Sequence, residues 1–166
     1  MDLELDGKKA VITGGSRGIG KAIALELASE GVDIAICSRS QEALESTAKE
    51  IRKKTGSSVF CSVADTTDEP SVSTFISESA SNLGGIDILV NNAVTSTSAP
   101  FDTLTDEEFR YHIDVKLMAY IRIARLVLPH MVEQDGGRII NIGGMTARVT
   151  APLRLSLIHI SEPTRL

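Results

Sequence analysis

An α/β fold built on a doubly wound parallel sheet is predicted by three features of this 166-residue chain. Strand-like and helix-like stretches alternate along it with short connections. The first strand runs into a glycine-rich turn, Thr13-Gly14-Gly15-Ser16-Arg17-Gly18-Ile19-Gly20, that opens an amphipathic helix. The strand pattern at 137–142 is almost wholly apolar, as strands covered on both faces are. Right-handed crossovers between such strands place helices on both sides of one sheet.

Each element has its own signal. Lys8 to Thr13 reads as the first strand, and Gly18 to Glu30 as a helix with Ile19, Ile23 and Leu27 on one stripe and Gly31 as its stop. Asp33 to Cys37 is a second strand, followed by a helix from Ser40 to Lys54 whose Leu44, Ala48 and Ile51 face inward. Ser57 to Ser62 is a third strand, and Glu69 to Asn82 a helix carrying Val72, Phe75 and Ile76. Asp87 to Val90 is the fourth strand, a long helix runs from about Thr105 to Met131, and Gly137 to Ile142 is the fifth strand. There is no internal repeat and no low-complexity linker.

Composition narrows the functional classes. A hydrophobic content of 42% with both charge signs interspersed describes one folded unit large enough to bury a core. The net charge of -5, without a basic stripe, argues against nucleic acid as the main partner. The chain starts Met1-Asp2-Leu3-Glu4, without the basic-then-apolar signature of a secretory leader, and no apolar run approaches membrane-spanning length. A cytoplasmic setting with no membrane partner is the expectation. Cys37 and Cys61, near the ends of two predicted strands, read as small buried thiols in a reducing compartment. Neither has metal-ligand spacing with the three histidines, so no metal site is expected.

The glycines carry the chemistry of the first turn. Gly14 lets the chain leave the strand through a conformation costly to any residue with a Cβ, Gly18 lets the backbone approach a pyrophosphate, and Gly20 keeps the helix close to its strand. Backbone amides at a helix start favour an anion. Taken alone the turn is also compatible with plain turn chemistry.

Two more signals join it: Asp65 just after the third strand, and Asn91-Asn92-Ala93 just after the fourth. In this order and spacing the chain resembles the short-chain dehydrogenases/reductases over roughly residues 5 to 153. The resemblance implies an NAD(P)-binding Rossmann domain at residues 1–154, incomplete on its C-terminal side. It also implies that Asp65 contacts the adenine and that the Asn-Asn-Ala segment shapes the cofactor groove and steadies the central strand. From its residues alone, Asp65 reads first as a helix N-cap or turn residue. Where the family usually has glycine after Asn-Asn-Ala this chain has Val94, a departure that bears on the loop rather than the fold. The expected cofactor-binding residues are Thr13, Gly14, Ser16, Arg17, Gly18, Ile19, Gly20, Ser38, Arg39, Asp65, Asn91, Asn92 and Ala93.

Charge argues the cofactor choice. A carboxylate at the end of the second strand would bond a free ribose 2′-hydroxyl and repel a 2′-phosphate, yet Cys37-Ser38-Arg39-Ser40 stands there. Arg39, with Arg17 as a second planar cation, favours NADP(H) over NAD(H). The plainer alternative makes Arg39 a solvated surface charge.

The catalytic positions depart from the family. The resemblance implies hydride transfer between nicotinamide and a carbonyl or alcohol, with a tyrosine acid/base, a lysine that lowers its pKa, an orienting serine and a helix asparagine. Counted from Asn91, the asparagine falls on Lys116 and the serine on Gly144, while the tyrosine and lysine fall near Leu157 and at Ser161. Tyr111 and Tyr120 lie on the long helix with no lysine four residues on. No catalytic residue is therefore assigned. Lys116 either takes over a relay or anchoring task or is solvated, and His112 and His130 read as helix residues near a surface.

Leu155 to Arg165 resembles a translation of the transposon-derived adaptor used in short-read library preparation, so residues 155–166 are expected to be a non-native tail, and His159 and Ser161 receive no role. On that reading the apolar fifth strand is left at a sheet edge, Met118, Ile121 and Leu126 are uncovered, and solubility is poor. The expected function is that of an NADP(H)-dependent oxidoreductase acting on a small or medium carbonyl or alcohol, homo-oligomeric at full length, with this fragment inactive. The alternatives are a dinucleotide-binding protein without redox chemistry and an inert chimera.

Overall fold

The computed structural model describes residues 3–94 and 103–143. Five parallel strands, β1 (Lys9–Thr13), β2 (Asp33–Ser38), β3 (Val59–Val63), β4 (Ile88–Asn91) and β5 (Arg138–Asn141), lie in the order β3-β2-β1-β4-β5. The chain steps outward from β1 to β3 and then returns to the other side of β1 for β4 and β5. That reversal makes the C-terminal ends of β1 and β4 a switch point, where open α/β sheets bind ligands.

Both faces of the sheet are covered at its centre. Ala10 and Ile12 of β1 point toward α1 (Gly18–Ser29) and α2 (Gln41–Thr55), packing with Ala24, Ala28, Leu44 and Ile51. Val11 points the other way, among Phe75 and Ile76 of α3 (Glu69–Leu83) and Ile123 and Val127 of α5 (Ala119–Glu133). The alternation of a strand thus feeds two cores at once. The helix starts follow capping chemistry. Ser40 caps α2, Asp68 caps α3 by accepting from the Ser71 N–H at 3.1 Å, and Thr105 with Glu108 forms a capping box on α4 (Asp106–Ile113).

One expectation needs correction. The fully buried stripe of α1 is Gly20, Ala24 and Ala28, with Ile23 and Leu27 only partly buried against the core and Ile19 64% exposed; close approach of this helix to the sheet selects small side chains, and the large ones are displaced to its flanks. The expected long helix runs through α4 and α5, with a π-helical segment, Asp114–Met118, between them. All of β5 is exposed at the sheet edge, pairing with β4 along one side only among the described residues. Met118 and Ile121 are exposed as the edge reading expects, whereas Leu126 packs against the core. The tail 155–166 and Gly144 lie outside the described residues. No helix among those residues is long and apolar enough to cross a membrane.

Candidate functional site

The site begins where β1 ends. Gly14 turns with φ +67°, a left-handed conformation that glycine adopts without strain, and the Gly15 N–H donates to Cys37 O at 3.1 Å. Gly20 packs so closely that a Cβ there would run into Gly14 O and the Asn92 amide. The close partner of Gly20 is therefore the turn and the loop after β4 more than the strand. Arg17 stands at the N-cap of α1 with no side-chain cap, and the first turn of that helix has no acidic residue. The amides of that first turn therefore have neither a side-chain cap nor an acid of the helix's own to neutralise them.

The loop after β4 is fastened to this turn. Thr13 Oγ1 accepts from the N–H groups of Asn92 and Ala93, both at 3.0 Å, and Asn92 Nδ2 donates to Thr13 O at 3.0 Å and to Gly14 O at 3.1 Å. From the other side, Thr47 of α2 donates its hydroxyl to Ser16 O at 2.8 Å. Thr47 belongs to the spacing 44, 47, 48, 51 that faces the core, and its polar type on an apolar face was the available signal.

A cleft of about 580 Å³ opens over these elements. Of the expected residues, Gly14, Ser16, Arg17, Gly18, Ile19, Ser38, Arg39, Asp65, Asn92 and Ala93 line it. Thr13, Gly20 and Asn91 lie behind its wall: Thr13 is 1% exposed, and Asn91 is fully buried with Nδ2 donating to Asn141 Oδ1 at 2.9 Å. Val94 is part of the lining. Cys37 is buried at the same place, and burial pushes its thiol up to about 12, so it is a neutral wall residue.

Asp65 is a turn residue, its Oδ1 accepting from the Thr67 N–H at 2.9 Å and hydroxyl at 2.7 Å, while the N-cap of α3 is Asp68. Burial raises its pKa, but the two Thr67 bonds and the charge of Arg39 bring it below the ordinary aspartate value. The cleft thus carries an ionised carboxylate beside a guanidinium. Arg39 Nη1 donates to the hydroxyl of Tyr111 at 3.3 Å, across from α4. Sequence reasoning passed over Tyr111, because a contact spanning 72 residues leaves no local trace.

Lys116 is neither solvated nor in the cleft lining. It lies in the π-helical segment, half-buried, and its Nζ donates to the Tyr120 hydroxyl and to Ile142 O, each at 2.8 Å. A lysine and a tyrosine do meet in this chain, in the order Lys-x-x-x-Tyr. Burial pushes the Tyr120 phenol up to about 12, the wrong direction for an acid/base group at neutral pH, and lowers the pKa of Lys116. Among the described residues no cluster of three His, Cys, Asp or Glu side chains could hold a metal ion.

The sequence profile of the short chain dehydrogenase family matches residues 8–155. The oxidoreductase YvrD of Bacillus subtilis (strain 168) is 37% identical over 142 residues, 86% of this chain and 53% of that protein. The crystal structure of L-sorbose reductase from Gluconobacter frateurii, complexed with NADPH and L-sorbose, superposes with a TM-score of 0.87 at 34% identity, covering 92% of this chain and 59% of that one. NAD+-bound xylitol dehydrogenase superposes with a TM-score of 0.84 at 30% identity, covering 90% and 58%. The chain spans little more than half the length of these relatives. With the parallel sheet, the glycine turn and the fastened loop after β4 in place, the chain belongs to the short chain dehydrogenase family.

Proposed function

We propose that residues 1–154 are the dinucleotide-binding part of an NADP(H)-dependent oxidoreductase that moves a hydride between nicotinamide and a carbonyl or alcohol of a small molecule. The carrying observation is the charge at the cleft: an uncapped helix start with Arg17, and Arg39 at the end of β2. The uncapped amides and Gly18 would take the pyrophosphate, Arg39 and Ser38 the 2′-phosphate, and Asp65 with Ala64 the adenine. Thr13, Gly20 and Asn91 would act through the shape of the turn. The bound cofactor would supply the hydride; what this chain adds is binding, orientation and exclusion of water. L-sorbose reductase in its NADPH complex and NAD+-bound xylitol dehydrogenase support a nicotinamide dinucleotide as the ligand and differ over which one.

The fragment itself is proposed to be inactive, residues 155–166 to be a non-native tail, and the full-length protein to be a cytoplasmic homo-oligomer. Tyr111 lines the cleft, but its hydroxyl is taken up by Arg39. A second reading, a dinucleotide-binding protein without redox chemistry, is favoured by the engagement of Lys116 with Tyr120 and Ile142 instead of the cleft. Titrating the chain with NADPH and NADH tests the binding: NADPH should bind more tightly, and Arg39→Asp should reverse the order. An unchanged preference removes the 2′-phosphate argument, and no binding of either nucleotide at millimolar concentration removes the proposal. A full-length parent that binds NADPH yet oxidises none of it with any carbonyl would establish the second reading.

A further inference from the structure

We propose that Lys116 is a positioning residue whose ammonium, through Tyr120, ties the ends of β4 and β5 together behind the cleft and so holds the backbone at Ala93 and Ile142 in place. Nζ has three donors, of which one goes to Ile142 O and one to the Tyr120 hydroxyl. That hydroxyl lies 3.4 Å from Ala93 O and 3.2 Å from Ile142 O. It has one proton, and Ile142 O is already served by the ammonium. The phenol proton is therefore best used on Ala93 O, giving a chain from Lys116 through Tyr120 to the loop after β4.

Two observations separate this arrangement from a chance surface contact. Among the described residues no carboxylate lies within salt-bridge distance of it, since Asp114 is paired with Arg122 at 3.2 Å. Its charge is spent on carbonyl and phenol oxygens. And the lysine lies in the π-helical segment, an irregular turn that costs regular helix hydrogen bonding and recurs where a side chain must be re-aimed. Charged donors make stronger bonds than neutral ones, and a chain of such bonds polarises along its length. Ala93 and Ile142 both line the cleft although Lys116 does not. Its influence on any ligand is thus transmitted by backbone placement.

Amide hydrogen exchange of the whole chain, read residue by residue by NMR, tests this without any ligand. The reporters are the Ile142 N–H, which donates to Asn91 O, and the Ala93 N–H, which donates to Thr13 Oγ1. Ile36 in the central ladder, fully buried, is the reference. Lys116→Met should speed exchange at both reporters by about tenfold or more while leaving Ile36 unchanged. Lys116→Arg should bring both back to within about threefold of the parent, because a guanidinium still donates. Tyr120→Phe should loosen Ala93 more than Ile142. Unchanged reporters in Lys116→Met, equal acceleration at Ile36, or failure of Lys116→Arg to restore protection would each overturn the proposal. Should Lys116→Met not fold, Tyr120→Phe decides it: selective loosening at Ala93 is required, and its absence refutes the tie. The effect on a nucleotide rests on the functional reading above; with NADPH as the probe, Lys116→Met should weaken binding and Lys116→Arg should not. NADPH that fails to bind the parent would sink that reading and leave the exchange result standing.

Discussion

Replacing Thr13 with valine isolates the joint on which the cleft depends. The hydroxyl oxygen accepts from two backbone amides, Asn92 N–H and Ala93 N–H, each at 3.0 Å, and Thr13 is 1% exposed. Valine keeps the volume and the β-branch, so packing and strand preference are retained while the acceptor is lost. Both amides are then left without a partner, the first in a buried place and the second in a part-buried one. At about 1–3 kcal/mol for each orphaned group, and less for the second, the sum is about 2–4 kcal/mol. Against a typical total of about 5–15 kcal/mol this is a large share. Urea unfolding followed by circular dichroism measures it: with a slope of about 1–3 kcal/mol/M, the midpoint should fall by about 1–2 M at unchanged slope. Thr13→Ser keeps the acceptor and loses a methyl group, so it should cost about 1 kcal/mol. If Thr13→Val lies within about 0.5 kcal/mol of the parent, or Thr13→Ser is equally damaging, the bonds to the loop after β4 contribute nothing and the reasoning fails.

Other expectations follow from the same geometry. Gly20→Ala gains about 1 kcal/mol of helix preference but forces a Cβ against the backbone Gly14 O and the Asn92 amide, an overpacking at the upper end of the usual range, about 3 kcal/mol, so urea unfolding should show a net loss of about 2 kcal/mol; a neutral or stabilised variant would disprove the close approach. Glu50 is held at a pKa of about 2, below its usual 4.5, by hydrogen bonds from Lys21 and then Lys54. A depressed carboxylate stabilises the fold above the unfolded value and loses that contribution as pH falls through the folded one. The melting-temperature gap between the parent and Glu50→Gln should hold above pH 4.5 and close as pH falls toward 2; a gap that does not narrow would refute the assignment. Cys37 is buried with its thiol pushed up to about 12, whereas Cys61 is only partly buried, so a thiol reagent should label Cys61 in the folded protein and Cys37 only after denaturation. Labelling of Cys37 without denaturant would contradict its placement.

The order of strands and helices was legible because it rests on local physics. Hydrophobic spacing marked Leu44, Ala48 and Ile51, all fully buried, and the glycine stop at Gly31 closes its helix where φ is positive. What escaped depends on neighbours far along the chain. The stripe of Ile19, Ile23 and Leu27 was weighted by side-chain size, whereas a helix pressed against a sheet buries its smallest residues. The apolar pattern of β5 is that of a strand covered on both faces, and its exposure at the edge was legible only from the expected incompleteness of the chain, since coverage is a property of what packs on a strand. The π-helical segment has no pattern that distinguishes it from its flanking turns.

The site divides in the same way. Gly14, Arg17 and Gly18 could be found because a strand-to-helix turn and the cleft-lining residues beside it are contiguous in sequence, whereas Tyr111 reaches Arg39 only through the fold. Lys116 and Tyr120 are the instructive case, because their pairing is local and was still missed. A search for tyrosine followed four residues later by lysine is directional, as a family pattern is. An i, i+4 contact on a helix forms whichever residue comes first, although side chains lean toward the N-terminus and so alter which end reaches outward. Order therefore determines where the couple points. Here it points at the backbone carbonyls of Ala93 and Ile142 and not into the cleft that these two residues line, which is the geometry of the brace proposed above. The same two functional groups, reversed in sequence, serve a different purpose because the helix fixes their aim.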